Sequence, residues 1–536
     1  MAMEPIPFRL RLGLIGHRTL ENPDKLAQEV RDLLAGRLFA DLGLEASPMR
    51  RTPIELAAVT SLADGADRLL ANLVLEHPGA RLNVILPFAV DLFRATLDSD
   101  GARKEFEKLL ALDRSPRVLR QETQPSDELE RGYAYRDGAR ELLNNCDVLI
   151  AIWDGKPARG PGGTGETVDT ARRRGRPLYI VSPDGAVHFE RGTGVDRAAQ
   201  DGMEAFNTAP EPDDLFSKNV HRSELGFLQL ADNSPVPEPH RNAIQSILVP
   251  AYLRASHLAK KSQRIYLLAG RLIYAVAPLA VLSVAAAVTL ARRYRHELFV
   301  GEAGLLVVVL VLFVWVEVGK FQEKWMAHRF LCERLRAAFF LGACGLDPVP
   351  IDVPPHMGLA HRPGDWPVRT FNEIWQRMPA LVRCAGEGCE ELAEFVRKHW
   401  IENQIQFHQS RAKSYGMRSR VLEAIGIGLF GITILVAFTH VFLPEGNIWT
   451  DRLTVLAIAL PAFGGAAATY RGSRGFERLE KRSEQMVESL KDLSQRLTTA
   501  RTAGQLQQRM REMETLSLRE TQDWLMLVRF THLEPA

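Results

Sequence analysis

Cysteine is scarce in this chain of 536 residues. The five cysteines are scattered and odd in number: Cys146, Cys332, Cys344, Cys384 and Cys389. This pattern argues against a disulfide framework and fits a reducing compartment. Cys384 and Cys389 are close in sequence, but no second Cys or His pair stands at a zinc-finger spacing. The sequence therefore predicts no metal site.

A large net charge is also missing, and so is the pattern of a secretory leader. The formal net charge is +2 at pH 7, so the composition predicts no nucleic-acid partner. The opening stretch MAMEPIPFRLRLGLIGHR alternates like a strand and has no apolar core of the roughly 7–15 residues that a leader needs. We therefore expect the N-terminal domain to lie in the cytoplasm.

Two common nucleotide-binding fingerprints are absent as well. Neither G-x-G-x-x-G nor G-x-x-x-x-G-K-[ST] occurs between a predicted strand and a predicted helix. A standard dinucleotide site and a P-loop nucleoside triphosphatase are therefore not expected.

Long apolar runs, in contrast, are plentiful in the second half. A helix needs about 20 largely apolar residues to cross a bilayer. Four stretches qualify: 265–291, 298–319, 421–443 and 453–470. Buried core helices of a large soluble protein are the alternative, but four runs in two close pairs favour membrane spans. Glu302 and Glu317 lie near the ends of the second stretch, where they line a path through the membrane or reach the headgroups.

Basic residues flank the four stretches on one side. They precede the first and third stretches and follow the second and fourth, whereas the loop PEGNIWTD at 444–451 has none. Under the positive-inside rule, both termini and the middle region face the cytoplasm. The three arginines of RRYRHE at 292–297 conflict with this rule in the first outer loop. We expect a multi-pass protein of the cell inner membrane with four spans.

The membrane region has a twofold internal pattern. A basic helical lead-in, two apolar stretches and a charged amphipathic helix occur in that order twice. This layout predicts two tandem two-transmembrane modules, at 251–345 and 411–536. The second module is predicted to end in one long helix from about residue 475 to 516, whose apolar residues form a helix–helix seam. Packing of this seam within the chain and between chains are both left open.

The N-terminal part alternates strands and helices. Apolar runs such as FRLRLGLIG, IELAAVTS, RLNVILPF and DVLIAIW are separated by amphipathic segments. This order predicts a Rossmann-like α/β fold with a doubly wound parallel sheet, followed by an all-α membrane region of four transmembrane helices with cytoplasmic helical stems. The α/β domain is expected at 1–190. An irregular connector is expected at 191–250, and a connector with a cytoplasmic helix at 346–410.

Three glycine-containing loops follow predicted strands, at the edge where ligands bind in such sheets. They read GLIGHRTLENP, SLADGADR and GKPARGPGGTGETVDTA. Glycines let backbone N–H groups approach an anion, and the next helix adds its N-terminal partial charge. The sequence therefore predicts a phosphate cradle for a nucleotide, with a glycine loop that binds nothing as the alternative. The candidate ligand-binding residues are Gly16, His17, Arg18, Ser61, Asp64, Gly65, Asp67, Trp153, Asp154, Gly162, Gly163, Thr164, Gly165 and Glu166.

Three of these side chains have specific expected roles. Arg18 is expected to pair with a phosphate, because a guanidinium can donate two parallel hydrogen bonds to it. Thr164 is expected to donate through its hydroxyl. Glu166 is expected either to cap the helix or to accept from a ribose hydroxyl.

These motifs resemble known families. LGLIGHR, SLADGADRLLA and CDVLIAIWDGKPARGPGGTGETVDTARRRGRPLYIV together resemble the SLOG superfamily, the Rossmann-like domains related to DprA/Smf and cytokinin-activating LOG proteins, over residues 8–185. The duplicated hairpins with basic stems, and EKWMAHRFLCERLR in particular, resemble SLATT domains, which are two-transmembrane effector modules.

The resemblance implies a sensor–effector pair. The SLOG domain would bind a nucleotide second messenger, ADP-ribose-like or a cyclic nucleotide, and would need no other cofactor. The membrane modules would sit in the lipid bilayer as a homo-oligomer and form a pore or ion channel, or disrupt the membrane, in prokaryotic antiviral defence.

One departure from the family pattern bears on catalysis. LOG-type phosphoribohydrolases carry P-G-G-x-G-T-x-x-E, whose final Glu is catalytic. Here Glu166 stands at the Thr position and Asp169 at the Glu position. Because the shorter carboxylate is displaced from catalytic geometry, binding is favoured over hydrolysis. The alternatives are a membrane-anchored LOG-like nucleotide phosphoribohydrolase and a structural or trafficking protein with an empty SLOG fold.

Overall fold

The computed structural model describes residues 3–44, 50–120, 125, 127–158, 160–210, 234–290, 292–349, 365–381, 389–444 and 448–529. The chain divides into two compact units. The α/β unit comprises residues 4–208 and 361–373, and the helical unit comprises 1–3, 209–360 and 374–536. Cys384, one half of the cysteine pair, lies outside the described residues.

A seven-stranded sheet forms the centre of the α/β unit. Its strands are β1 (Phe8–Gly16), β2 (Ile54–Thr60), β3 (Arg81–Leu86), β4 (Arg117–Val118), β5 (Val148–Ile152), β6 (Leu178–Val181) and β7 (Val187–Glu190). Their spatial order is β4-β3-β2-β1-β5-β6-β7, and all neighbours are parallel except β6 and β7. All of β5 is buried, as expected of a strand covered on both faces. The predicted doubly wound sheet is confirmed, with one antiparallel edge strand added.

Helices connect these strands. They are α1 (Pro23–Asp32), α2 (Leu38–Leu42), α3 (Ala66–Leu75), α4 (Val90–Ala95), α5 (Asp100–Leu110), α6 (Glu128–Asn145), α7 (Thr164–Arg173) and α8 (Arg197–Asn207). The expectation of an irregular connector from residue 191 is wrong for α8. This helix buries Met203 and Phe206 on one face, and that apolar face holds it within the α/β unit. Much of the remaining connector, 211–233, lies outside the described residues.

Long helices make up most of the helical unit. The other α-helices among the described residues are α9 (Glu238–Ala243), α10 (Val249–Val288), α11 (Arg295–Gly319), α12 (Phe321–Ala343), α13 (Trp366–Trp375), α14 (Cys389–Val396), α15 (Glu402–Val441), α16 (Ile448–Arg474), α17 (Phe476–Leu497) and α18 (Ala503–Arg529). Helices α10, α11, α15 and α16 are long and apolar enough to cross a membrane. Only 6% of the most apolar window of α15 is buried, which a core helix of a soluble protein would not tolerate. The chain therefore has the character of a multi-pass membrane protein.

Two sets of helices share one plan. Helices α10 and α15 are each 40 residues long, and each follows a wide π turn, Ile244–Leu248 or Arg397–Ile401. In each set the second apolar helix is followed by a residue in the left-handed region, Lys320 (φ 49°) or Gly475 (φ 57°). A stem helix of 23 or 22 residues, α12 or α17, then follows. The 40-residue helix of each set packs against the other two helices of its set.

The prediction of a single long C-terminal helix is wrong. Two helices, α17 and α18, take its place, because Thr502 starts a new helix with a capping box. Its hydroxyl accepts from the Gln505 N–H (3.2 Å), and its own N–H donates to the Gln505 side chain (3.2 Å). Helix α17 buries Met486, Leu490 and Leu493 and packs on α15. The apolar seam therefore packs within the chain.

Helix α13 returns to the α/β unit after the first pair of apolar helices, since its residues up to Glu373 belong to that unit. At the amino-terminal edge of the sheet, Arg369 donates to the Asp147 carboxylate (3.0 Å) and Arg9 donates to Glu373 (2.8 Å). Burial by itself would raise the pKa of Asp147, but Arg11 and Arg369 outweigh it and hold that pKa well below its ordinary value. The predicted connector after the first module thus contains a piece of the α/β unit.

Candidate functional site

The carboxyl ends of β1, β2 and β5 lie side by side in the middle of the sheet. Gly13 of β1 aligns with Val59 of β2 on one side and with Leu149 of β5 on the other. The chain runs outward from β1 through β2 and β3 to β4 and then returns to β5, so the strand order reverses between β1 and β5. In open α/β sheets, ligands bind in the crevice at such a switch point. The three predicted binding loops follow these three strands.

The loops after β1 and β2 pack directly on each other. The Ala66 N–H donates to the His17 carbonyl oxygen (3.0 Å). A Cβ atom on Gly16 would lie 2.4 Å from the Cβ of Ala66, and one on Gly65 would lie 2.2 Å from the Arg18 carbonyl oxygen. Gly65 also has a φ of 75°, which favours glycine. Both glycines are therefore required for the close approach of the two loops.

His17 links the loop after β1 to the loop after β5. Its Nε2 accepts from the backbone N–H of Asp154 (3.1 Å) and lies 3.2 Å from Oδ1 of the same residue. The backbone N–H of Lys156 donates to the Asp154 carboxylate and is the main cause of a lowered pKa at Asp154. The pair thus places an ionised carboxylate beside a partly exposed imidazole, a combination suited to sugar hydroxyls.

Helix α7 begins at Thr164, directly after the glycine-rich loop. The Thr164 hydroxyl donates to the Gly16 carbonyl oxygen (3.2 Å), which fixes the start of the helix to the end of β1. Gly163 stands at the N-cap, and within the described part of the chain no side chain caps this helix. The positive end of the helix dipole therefore lies at this edge of the sheet, where it favours an anion.

The glycines of this third loop also have packing roles. A Cβ atom on Gly162 would lie 2.4 Å from the backbone nitrogen of Arg136 on α6, and one on Gly165 would lie 2.9 Å from the backbone nitrogen of Ala158. Glu166 accepts from the Gly162 N–H (2.7 Å) and pairs with the Arg136 guanidinium (2.8 Å). Glu166 thus makes the contacts of a helix start, and its interaction with a ribose stays a prediction.

The two aspartates of the second loop are buried and already bonded. Asp64 accepts from the Arg68 guanidinium (2.8 Å) and from the Asp98 N–H (3.2 Å). Asp67 accepts from the Thr60 hydroxyl (3.1 Å), and burial raises its pKa to about 6. Both carboxylates hold the loop in place, and their burial separates them from the surface that a ligand would reach.

The backbone of the second loop is strained at Leu62, where φ is 58°. A non-glycine residue rarely adopts this conformation, and such outliers cluster at functional sites. The Leu62 N–H donates to the Thr60 hydroxyl (3.1 Å), and the Leu62 side chain is fully buried, so the packing enforces the conformation. Ser61, directly after β2, is thereby held in a fixed and partly buried position.

Arg18 lies exposed at the rim of the site. Its Nη2 donates to the Tyr135 hydroxyl (3.4 Å), and its guanidinium lies 5.9 Å from the centre of the Tyr135 ring. Tyr135 and Arg136 of α6 also contact the candidate site, through Arg18 and Glu166, and the sequence pattern does not predict them. The stretch YAYRD contains both, but helical periodicity alone cannot show that this part of α6 meets the glycine-rich loop.

Trp153 supports the third loop from within. Its indole N–H donates to the Lys156 carbonyl oxygen (2.9 Å), and the Arg172 guanidinium lies 5.6 Å from its ring. Trp153 therefore fixes the conformation of the glycine-rich loop that is predicted to bind a ligand.

The assembled site is suited to binding an anion. It offers backbone N–H donors, one exposed guanidinium, an aromatic ring and an imidazole–carboxylate pair. Over the described ranges, no group of three or more His, Cys, Asp or Glu side chains could hold a metal ion.

Comparison with known protein families gives a match in the helical unit. Residues 397–524 match a family of membrane effectors. The model is SLATT_1, described as the SMODS and SLOG-associating 2TM effector domain 1. The match runs from the π turn before α15 through α16 and α17 into α18, so the predicted SLATT-type module is confirmed there and starts before residue 411. No curated protein and no solved structure matches the chain significantly.

Proposed function

We propose that this protein is a ligand-gated membrane effector. Its α/β unit binds a nucleotide-derived second messenger, of the ADP-ribose or cyclic-nucleotide class, at the carboxyl edge of the sheet near β1 and β5. Binding biases the helical unit toward an oligomeric state that forms a pore or ion channel, or disrupts the membrane. The biological setting is prokaryotic antiviral defence.

One observation supports this proposal: a Rossmann-like, mostly parallel sheet and a matched membrane-effector domain occur in one chain. The matched family is, by its description, one that associates with SLOG domains. The α/β unit has the parallel sheet and the three loops that resemble the SLOG superfamily. A sensor of this kind in the same chain as a membrane effector supplies both the signal input and the response.

The proposed ligand contacts fall into two groups. The N–H groups at the start of α7, around Thr164 and Gly165, and the Arg18 guanidinium bind phosphate. The His17–Asp154 pair binds sugar hydroxyls. The other candidate residues shape the loops, because their side chains are buried or bonded within the unit, or because glycine is needed for close packing.

The helical unit is proposed to hold two SLATT-like modules, with 238–343 as a diverged copy of the matched module. The shared order of π turn, 40-residue helix, second apolar helix, left-handed residue and stem helix supports this. By the positive-inside rule, both termini lie on the cytoplasmic side of the inner membrane. A ligand shifts such a system only through different affinities for its two states.

The proposal is tested with the full-length protein in lipid nanodiscs. ADP-ribose, cyclic dinucleotides and cyclic trinucleotides are added one at a time, thermal unfolding reports binding, and chromatography reports any products. We expect saturable stabilisation by one class of compound, which stays intact. The same compound should then release a trapped dye from vesicles that contain the protein.

A matched pair of variants assigns the binding to the proposed edge. Thr164→Val removes the hydroxyl that donates to Gly16, whereas Thr170→Val removes one that donates within α7 to the Glu166 carbonyl oxygen (2.8 Å). Loss of one hydrogen bond that positions the helix start should weaken binding by about tenfold. Equal effects of the two variants, or no stabilisation by any compound, would contradict the proposal.

The hydrolase alternative depends on Asp169. This side chain is 62% exposed, and its Oδ1 lies 3.4 Å from the Arg172 guanidinium, one turn further along α7 than the residues that join the loops. Release of free base from a nucleotide, abolished by Asp169→Ala, would establish the hydrolase. Recovery of intact ligand supports the sensor.

A further inference from the structure

A cavity of about 360 Å³ lies within the helical unit. Its walls come from both sets of helices: α10 and α12 from the first, α15, α16 and α17 from the second, and α18. The nucleotide proposal does not use this cavity.

The wall of this cavity is strongly cationic. Among the described residues, eight lysine or arginine side chains line it against two glutamates. Glu333 pairs with Arg329 (2.6 Å) and Arg336 (2.7 Å), and Glu520 pairs with Arg482 (3.3 Å). Both glutamates are thus neutralised by arginines of the same wall, and the excess of positive charge remains.

Four arginines of the wall have no carboxylate partner within the described ranges: Arg271, Arg411, Arg418 and Arg474. Arg474 is held between two rings, 5.2 Å from the centre of Tyr266 and 5.4 Å from that of Tyr470. Its Nε and Nη2 atoms are buried and have no hydrogen-bond acceptor among the residues that the structure describes. Buried donors on a charged group are costly unless an acceptor is supplied, so this site is suited to a bound anion.

The cavity lies where the apolar helices meet their basic flanks. Arg271 stands near the start of the first apolar stretch, Arg418 just before the third and Arg474 just after the fourth. Trp325 and Trp524 also line the cavity, with ring centres 5.1 Å apart. Tryptophan and arginine are typical of the headgroup level of a bilayer, and basic pockets between membrane helices bind anionic headgroups.

We infer that this cavity binds the headgroup of an anionic phospholipid from the leaflet at the basic ends of the helices. The phosphate oxygens accept hydrogen bonds from Arg474 and from the other arginines without a carboxylate partner in the described ranges, Arg271, Arg411 and Arg418. The acyl chains extend along the apolar helices. A zwitterionic headgroup fits less well, because its ammonium would lie among arginines. Since the two sets of helices share the wall, the lipid joins them.

The test measures lipid binding to the full-length protein in neutral detergent by native mass spectrometry and thermal unfolding. Phosphatidylglycerol, phosphatidylcholine, inorganic phosphate and ADP-ribose are the probes. We expect phosphatidylglycerol to bind saturably and to raise the unfolding temperature more than phosphatidylcholine does. Replacing Arg418 and Arg474 together by Gln should weaken its binding about 25-fold, since each lost charge costs about a factor of five.

A control pair removes the same charge outside the cavity. Lys413 and Arg478 are exposed and do not line the wall, so replacing both by Gln should leave the affinity for phosphatidylglycerol unchanged. Replacing Arg418 and Arg474 by Lys keeps the charge and should restore part of the binding, which separates lost charge from a failure to fold. Equal binding of both lipids, equal losses in the two Gln pairs, or displacement of lipid by inorganic phosphate or ADP-ribose would overturn the inference.

Discussion

From the ion-pair cluster at the amino-terminal edge of the sheet, we predict that Asp147→Asn strongly lowers the thermal stability of the protein. Asp147 is 6% exposed and accepts from the Arg11 backbone N–H, the Arg11 guanidinium and the Arg369 guanidinium, each at 3.0 Å. Asparagine has nearly the same volume but leaves two guanidinium groups without their counter-charge. Breaking a buried pair in this way costs about 3–5 kcal/mol. For a unit of about 200 residues, this corresponds to a fall of roughly 6–20 °C in melting temperature.

The measurement is thermal unfolding of the full-length protein, monitored through a spectroscopic signal that reports on the α/β unit. Asp169→Asn is the control, because it breaks an exposed pair with Arg172 that is worth less than about 1 kcal/mol. Adding Arg369→Met to Asp147→Asn removes one uncompensated charge and should recover part of the loss. The low pKa of Asp147 also means that its contribution persists at neutral pH and is lost only as pH falls well below 4. Equal melting temperatures of Asp147→Asn and Asp169→Asn would refute the stabilising role of the buried ion pair.

Three further predictions concern single side chains. The pKa of Asp67 in the folded protein is raised to about 6, so its ionisation lowers the free energy of unfolding as pH rises from about 4 to 6. Asp67→Asn should abolish this pH dependence, which amounts to up to about 3 kcal/mol. Urea titrations at several pH values measure it. Gly65→Ala should lower the free energy of unfolding by at least about 2 kcal/mol, because its Cβ would clash with the Arg18 carbonyl oxygen. Gly155→Ala, at φ 81° with open space around the Cβ, should lower it by only about 1 kcal/mol through backbone strain. Equal denaturation midpoints of the two variants would contradict this. Thr502→Ala should cost about 1 kcal/mol by removing the cap of α18, and an unchanged midpoint would show that the cap contributes nothing.

Strong periodic patterns in the sequence predict most of the architecture. The run DVLIAIW is apolar throughout because β5 is covered on both faces, and the long apolar runs identify the membrane helices by length. Loops that follow strands identify the edge of the candidate site, since parallel strands end on the same side. These features are local, and a single segment suffices to reveal each of them.

Features that depend on distant contacts are not predictable in this way. Nothing in WPVRTFNEIW indicates that its Arg369 completes an ion pair with a residue 222 positions earlier. The aspartates of SLADGADR look like ligand contacts, yet Asp64 and Asp67 are buried because Arg68 and Thr60 bind them. The break after α17 has a local signal in the capping box of Thr502 and Gln505, which the continuous helical periodicity obscures.

The placement of residues 365–373 in the α/β unit has a consequence for biosynthesis. These residues leave the ribosome only after the first two apolar helices have been made, so the first apolar hairpin is synthesised while the α/β unit still lacks its last helix. During this interval Asp147 lacks one of its ion-pair partners, Arg369. Completion of the α/β unit therefore follows synthesis of the first hairpin. A nascent chain that has not finished this hairpin also has an incomplete α/β unit.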